Sequence, residues 1–375
     1  MRTLHLTTVD LTAFCFLRSW FRHLRAHGHE VALACDFQRF QEPLAQDCDQ
    51  LFQVAIPRRI RPWQDLRAFL RLLGLMRRYR PEVVHTHTSK AGFLGRLAAR
   101  LCGVPLVLHT IHELPQNAAR NPWIQGLYRG LEQLAAHWCH HLITVSEVNR
   151  KQILAERICD PEKLSFIREG LELERYRPAI PGVEMRRSWG LPDRARVLGM
   201  AARLEPAKGH HDLLMAFQTL AAGHPDLHLV LMGTGLLEAE LRARVNELGL
   251  TSRVHFLGWV EDLVSAIAAL DMFVLSSHYE GLGIVLLEAL ALGVPTVSTR
   301  VGGTQDILVH EVYGLFAEPH HPSDLARQIE RFLENPAWAR ELARAGQHYV
   351  HREFRAEVAD ARMLELYLKL QGRAR

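Results

Sequence analysis

Short apolar runs alternate with helical patterns from end to end of this chain, which predicts an α/β fold of two doubly wound parallel-sheet domains. The first half offers six strand candidates, TLHLTTV, EVALACD, VVHTHT, PLVLHTI, HLITVS and KLSFIRE. The second half offers six more, VLGMAAR, HLVLMG, VHFLG, MFVLSS, PTVSTR and GLFAEP. Between the two sets lies ERYRPAIPG, residues 174–182, whose two prolines make it the best linker candidate. A length of 375 residues suits two or three domains. The division read from these signals is 1–175, 176–355 and a tail over 356–375, most of it the amphipathic helical pattern VADARMLELYLKL. No internal repeat and no low-complexity tract interrupts the pattern.

Composition sets bounds on function. A hydrophobic content of 48% with 23% charge is ordinary for a soluble globular chain. No apolar stretch approaches the roughly eighteen residues of a membrane span, and MRTLHLTTVD lacks the pattern of a secretory signal. Six cysteines without a CxxC pair read as reduced thiols, so the expectation is a cytoplasmic protein. The net charge of +4 is uneven: residues 1–175 hold 24 Lys and Arg against 17 Asp and Glu, an excess of +7. Much of it is Arg58, Arg59, Arg61, Arg67, Arg71, Arg77, Arg78 and Arg80, around DLRAFLRLLGLMRRYRP with Leu and Phe on one helical face. That segment is either a solvated helix with its apolar side in the core or a basic amphipathic surface for anionic lipid head groups. Nucleic acid is a poor partner for so modest a charge with no interleaved aromatic platform.

The feature richest in chemistry is YEGLGIVLLEALALGVP, beginning at Tyr279. Gly281 and Gly283 loosen the backbone ahead of the apolar run, while Gly293 and Pro295 stop it, so the spacing predicts a buried helix from near Gly283 to Gly293. Its one carboxylate, Glu288, requires a partner, because a lone buried charge is costly. That partner is either an arginine or the hydroxyls of a ligand held at the helix N-terminus, where amides and the dipole favour phosphate. Upstream, GMAARLEPAKGHHDLLMAF places Arg203 and Lys208 in a loop between strand and helix; downstream, PTVSTRVGGTQDIL repeats the plan with Gly302 and Gly303. In an open parallel sheet such loops gather on one edge. Two cations, several glycines and the carboxylates Glu280 and Glu288 suit a diphosphate joined to sugars.

Other signals are weaker. Gly233 and Gly235 in VLMGTGLLEAEL resemble a dinucleotide turn but lack the third glycine and a following acidic residue, which counts against a nicotinamide or flavin enzyme. His137, Cys139, His140 and His141 form the only cluster with the look of a metal site, without a second spaced pair, and no metal is assigned. His112 lies just past a strand end in PLVLHTIHEL, and His85, His87 and Lys90 end another strand; each is either structural or part of a binding edge.

Glu280 with Glu288, Arg203 and Lys208 in RLEPAKG, and VGGTQDIL followed by YGLFAEP closely resemble the large retaining glycosyltransferase family of the two-domain B type, often called family 4. VVHTHTSKAGFLGRLAARLCGVPLVLHTIHEL and HLITVSE resemble its amino-terminal half, so the likeness covers most of the chain. The resemblance implies the GT-B architecture: two Rossmann-like domains facing across a cleft, the first binding acceptor and the second a nucleotide sugar, with the final helix packed back on the first. It implies transfer of a hexose with retention, without cofactor or metal, in assembly of a cell-surface polysaccharide or glycolipid. Arg203 and Lys208 would neutralise the leaving diphosphate with the amides of Gly281, Leu282 and Gly283, Glu288 would hold the ribose, and Glu280 and His112 would face the transferred sugar. Gly233 would border the nucleotide pocket; His85, His87 and Lys90 are candidates for the acceptor side from their place at a strand end alone, with a structural role as the alternative. A departure stands in the first loop, TTVDLTAFCF, which has no glycine pair; Asp10 or Thr12 would substitute through side chains. IREGLELERY also departs from the family pattern and carries no catalytic assignment. The competing readings are a silent nucleotide-sugar-binding scaffold, which has no need of all four charged residues, and a nucleotide-sugar epimerase, which needs an acid/base pair not found here. An anionic membrane surface and a lipid-linked acceptor are the partners expected from the basic first half.

Overall fold

The computed structural model describes residues 1–57, 60–118 and 121–374. The chain divides into two compact units, one formed by residues 1–170 with the segment from Ala356 onward, the other by Leu171–Arg355. The break therefore falls at Gly170, and the proline-bearing segment read as a linker is part of the second unit: it runs from the end of a 3-10 turn over Leu173–Arg175 to the start of the helix Gly182–Ser188.

Among the described residues thirteen strands appear in chain order. In the first unit they are β1 (Arg2–Val9), β2 (Glu30–Asp36), β3 (Gln50–Gln53), β4 (Val83–Thr86), β5 (Leu106–Ile111), β6 (His141–Thr144) and β7 (Leu164–Phe166). The second unit holds β8 (Arg196–Ala201), β9 (Leu227–Met232), β10 (Val254–Gly258), β11 (Met272–Leu275), β12 (Thr296–Thr299) and β13 (Leu315–Ala317). Both sheets are wholly parallel, in the orders β3-β2-β1-β4-β5-β6-β7 and β10-β9-β8-β11-β12-β13. The alternating pattern of the sequence accounts for this fold class, and β3 is the one strand it did not announce.

Parallel sheets bury both faces, and β2 illustrates how. Its odd-numbered residues Val31, Leu33 and Cys35 join one core with Trp20, Phe21, Leu364 and Tyr367. Ala32 and Ala34 join the opposite core with Leu72, Met76, Ala98 and Val107. The closing helix, Ala356–Ala374, thus covers one face of the first sheet through Leu364 and Tyr367.

Each sheet reverses its winding once, between β1 and β4 in the first unit and between β8 and β11 in the second. At such a reversal neighbouring loops run to opposite sides and leave a crevice beyond the strands' carboxyl ends. Most residues assigned above to chemistry lie at or just past one of these two places, on the strand ends or on the helices that start there, while His112 and Gly233 follow the neighbouring strands β5 and β9.

Candidate active site

In the second unit three loops meet at the reversal: residues 202–209 after β8, 276–283 after β11 and 300–303 after β12. They pack backbone against backbone. Gly209 (φ +66°) lies so close to the Ser276 carbonyl oxygen, and Gly302 (φ +42°) so close to that of Glu280, that a Cβ on either would overlap it. Gly233 and Gly235 abut the backbone at Ala202 and Leu204 in the same way. The incomplete dinucleotide turn is explained by this contact: both glycines let one loop rest on another, and Leu204 and Leu237 close it with backbone hydrogen bonds.

Charged groups stand on this frame. Lys208 Nζ donates to Glu280 Oε1 at 2.8 Å across the β8/β11 reversal, and Ser277 Oγ donates to the same oxygen at 2.6 Å. Glu280 is buried and Lys208 partly buried. Arg203 is exposed and pairs with Glu205 at 2.5 Å. Gly281 and Leu282 are buried, and Gly283 (φ +86°) is the N-cap of the helix Ile284–Ala291. That helix buries Leu286, Leu287, Ala289, Leu290 and Ala291 and leaves Ile284, Val285 and Glu288 partly open.

Within the chain Glu288 has a hydrogen-bond partner in Tyr176, whose hydroxyl donates to its Oε1 at 3.0 Å. Burial pushes its carboxyl up to about 7, and the Tyr176 bond and the Arg175 charge oppose the rise only in part. A carboxyl so placed gains from further hydroxyl donors, which would favour its charged form. Tyr176 and Ser277 went unrecognised in the sequence, one inside the supposed linker and one inside a strand candidate.

The first unit's edge is built differently. His5, His85, His87 and His109 are buried in a row of neighbouring strands. His85 has both ring nitrogens engaged, Nδ1 with Tyr367 Oη at 2.6 Å and Nε2 with Thr110 Oγ1 at 2.7 Å. His5 Nδ1 and His87 Nε2 share a hydrogen bond of 3.2 Å. Burial lowers the pKa of all four, His5 to about 3 and the others well below the usual value, so the cluster is neutral near pH 7.

Three residues expected on the acceptor side already have partners within the chain. Asp10 is buried and its Oδ2 accepts the backbone amides of Gln38, Arg39 and Phe40 at 2.7–2.8 Å; burial raises its pKa, and these bonds more than offset that to hold it low. His85 is saturated within the core. Lys90 forms an ion pair with Asp65 at 2.6 Å, tying together the starts of helices Ser89–Leu101 and Pro62–Tyr79. Thr12 is partly exposed on the helix Asp10–Phe16.

His112 and His87 line a cavity of about 60 Å³ with Phe16, Trp20, His85 and Glu169. His112 Nδ1 lies 3.4 Å from Glu169 Oε2, an ion-pair distance only if the imidazole is protonated. His87 Nδ1, Glu169 Oε2 and both His112 nitrogens have no hydrogen-bond partner there. Glu169 is the residue sequence reasoning passed over; its signal was an acidic side chain just past β7. The former metal candidates are dispersed: His137 Nδ1 bonds the Gln133 carbonyl, Cys139 Sγ that of Ala136, His140 accepts from Val107 N and His141 bonds Ser165.

Comparison with known proteins fits both halves to one kind of enzyme. Residues 183–349 match the model of the glycosyl transferases group 1, and residues 16–175 match that of Glycosyltransferase Family 4. The chain is 32% identical over 259 residues to an Escherichia coli UDP-Gal:alpha-D-GlcNAc-diphosphoundecaprenol alpha-1,3-galactosyltransferase, covering 68% of this chain and 67% of that one. This chain belongs to the family 4, group 1 glycosyltransferases. It is also 32% identical over 303 residues to a D-inositol 3-phosphate glycosyltransferase of Saccharomonospora viridis, covering 76% of this chain and 69% of the relative. In fold the glycosyltransferase is similar to Anabaena HepE, solved with UDP and glucose: TM-score 0.84 at 21% identity, over 98% of this chain and 100% of that one. The two Rossmann-like units are thus those of the B-type architecture.

Proposed function

We propose that this glycosyltransferase moves a hexose, with retention, from a nucleotide-diphosphate sugar to a hydroxyl of a lipid-linked acceptor in cell-surface polysaccharide or glycolipid assembly. The observation that carries the donor assignment is the Lys208–Glu280–Ser277 contact set across the β8/β11 reversal, beside the Gly302–Gly303 loop. Departure of the diphosphate builds negative charge, and stabilising it lowers the barrier most. Arg203 and Lys208 supply two positive charges and the backbone around Gly281, Leu282 and Gly283 supplies amides. Glu280, held by Lys208 and Ser277, is oriented for the sugar, and Glu288 with Tyr176 for the ribose. UDP is bound by the fold relative HepE and named in the E. coli relative's donor, which makes it the first nucleotide to test.

Retention would follow from attack on the face the phosphate leaves, with a phosphate oxygen taking the acceptor proton. Two fixed cations take the place of a metal, and turnover is expected to survive excess EDTA. A silent scaffold or an epimerase is disfavoured, the first by the presence of all four charged residues, Arg203, Lys208, Glu280 and Glu288, the second by the family match.

The acceptor side and the membrane are read from the first unit. The helix Pro62–Tyr79 buries Ala68, Leu72, Leu75, Met76 and Tyr79, yet Trp63, Leu66 and Leu70 are exposed, as are Arg61, Arg67, Arg71, Arg77, Arg78 and Arg80. Arg58 and Arg59 lie outside the described residues. A second helix, Pro122–Ala136, exposes Trp123, Ile124 and Leu127. Apolar residues among exposed arginines match an interfacial surface better than a plain solvated helix face. Among the described residues no helix is long and apolar enough to cross a membrane. The deciding assay measures nucleotide release from a panel of UDP-, GDP- and ADP-sugars with an undecaprenyl-diphosphate-linked sugar as acceptor. Acceptor-dependent release with one donor supports the reading; hydrolysis alone, or no release with any donor, overturns it.

A further inference from the structure

Two groupings of metal-ligating side chains occur among the described residues, His5 with His85 and His87, and Asp212 with His278 and His320. The first is buried in the core. His85 gives both nitrogens to Tyr367 and Thr110, and no carboxylate joins the three buried imidazoles to offset a cation's charge. The second is open and includes a carboxylate. His278 Nε2 lies 2.7 Å from Asp212 Oδ2, the imidazole rings of His278 and His320 are 3.8 Å apart, and the three donor atoms lie within 4.8 Å of one another. Asp212 and His278 are partly exposed and His320 is exposed, so solvent reaches the group.

From this arrangement we propose that Asp212, His278 and His320 form a binding site for a divalent transition-metal ion of the zinc or cobalt kind, outside the transfer chemistry. Two imidazoles and one carboxylate are the donor set such ions favour over magnesium, which prefers oxygen. Ligand bonds of roughly 2.0–2.2 Å put neighbouring donors about 3 Å apart, so Asp212 and His278 need only small shifts. His320, at the surface, can swing to complete a face and leave the remaining positions to water. Its backbone already sits at φ +62°, a region uncommon for a non-glycine residue. The carboxylate offsets half of the ion's charge, and solvent tempers the rest.

The three ligands come from separate segments. Asp212 is in the first turn of the helix His210–Gly223, His278 is in the loop after β11 between Ser277 and Glu280, and His320 precedes the helix Pro322–Glu334. His278 N also donates to the Ala207 carbonyl at 2.8 Å. A bound ion therefore fastens the loop that carries Ser277 and Glu280 to its neighbours. Because the ligands are distinct from the proposed donor contacts, the site stands or falls independently of the substrate assignment.

Titrating Co²⁺ into the metal-free, full-length protein tests this directly. The expected result is one equivalent bound with visible d–d absorption, displaced by Zn²⁺, a higher Tm with either ion and no change with Mg²⁺. His320→Ala and, separately, Asp212→Asn should each weaken Co²⁺ by more than roughly tenfold, with circular dichroism matching the parent. No saturable Co²⁺ binding, or equal binding by both variants and the parent, would overturn the site. So would binding lost only in His5→Ala or His87→Ala, which would place the ion in the buried cluster.

Discussion

The two sheet reversals have the same parallel topology and opposite chemistry. At the β8/β11 reversal glycines bring loop backbones together and leave charged side chains along the edge. At the β1/β4 reversal β1 runs directly into the helix Asp10–Phe16 with no glycine at the junction: Asp10 accepts three backbone amides, and four neutral histidines are buried on the neighbouring strands. The difference teaches that one fold can make its edge either a charged cradle or a packed polar interior, depending on whether backbone or side chain occupies the loop junction. A diphosphate is a fixed, highly charged target, and the second edge suits it. The first edge offers partial polarity around the cavity of His87, His112 and Glu169, which suits a hydroxylated, weakly charged group.

The largest expected effect separates the two edges by catalysis. Lys208→Ala and Arg203→Ala should each reduce turnover by about a hundredfold or more, the range for losing one charge-stabilising group. Lys208→Ala also leaves Glu280 with Ser277 alone. Full activity in both variants would remove the donor assignment from the second edge.

Acid should break the units unequally. The first unit's buried histidines have folded pKa values below the unfolded 6.5, so the unfolded chain binds more protons as pH drops. Their favourable contribution is present above pH 6.5 and is lost on acidification. The second unit has a smaller set, with His210 at about 4. Calorimetry between pH 7 and 4 should therefore show the transition of the first unit falling faster; parallel shifts would contradict the neutral-cluster account. A smaller effect probes the glycine frame: Gly302→Ala adds a Cβ against the Glu280 carbonyl oxygen at positive φ and should cost more than about 1 kcal/mol, read as a lower Tm and chemical-denaturation midpoint. Smallest is the surface term. Trp63→Ala together with Leu70→Ala should weaken flotation with anionic vesicles at low salt while leaving Tm within a degree or two, and rising ionic strength should release the parent protein.

How much was legible in the sequence follows from what each signal depends on. Twelve strands were legible because buried parallel strands are continuous apolar runs; β3, QLFQ, is a four-residue edge strand with exposed glutamines at both ends. The helix at Ile284–Ala291 was legible from its flanking glycines. Glu288's need for a partner could be argued from its apolar surroundings, but not the identity of Tyr176, 112 residues away in the chain. The partners of the histidines at strand ends were illegible for the same reason. Position in a strand places a residue near the edge, whereas only tertiary contacts, such as Tyr367 from the closing helix on His85, decide whether its nitrogens are already engaged.

Hydrogen exchange on the full-length protein, with and without the nucleoside diphosphate giving the largest thermal shift in a UDP, GDP and ADP panel, tests the central claim most directly. The account predicts protection over residues 202–209, 276–288 and 300–304, with the β1/β4 edge around residues 85–112 unchanged. Protection confined to the first unit, with the second unit's loops unaffected, would contradict it.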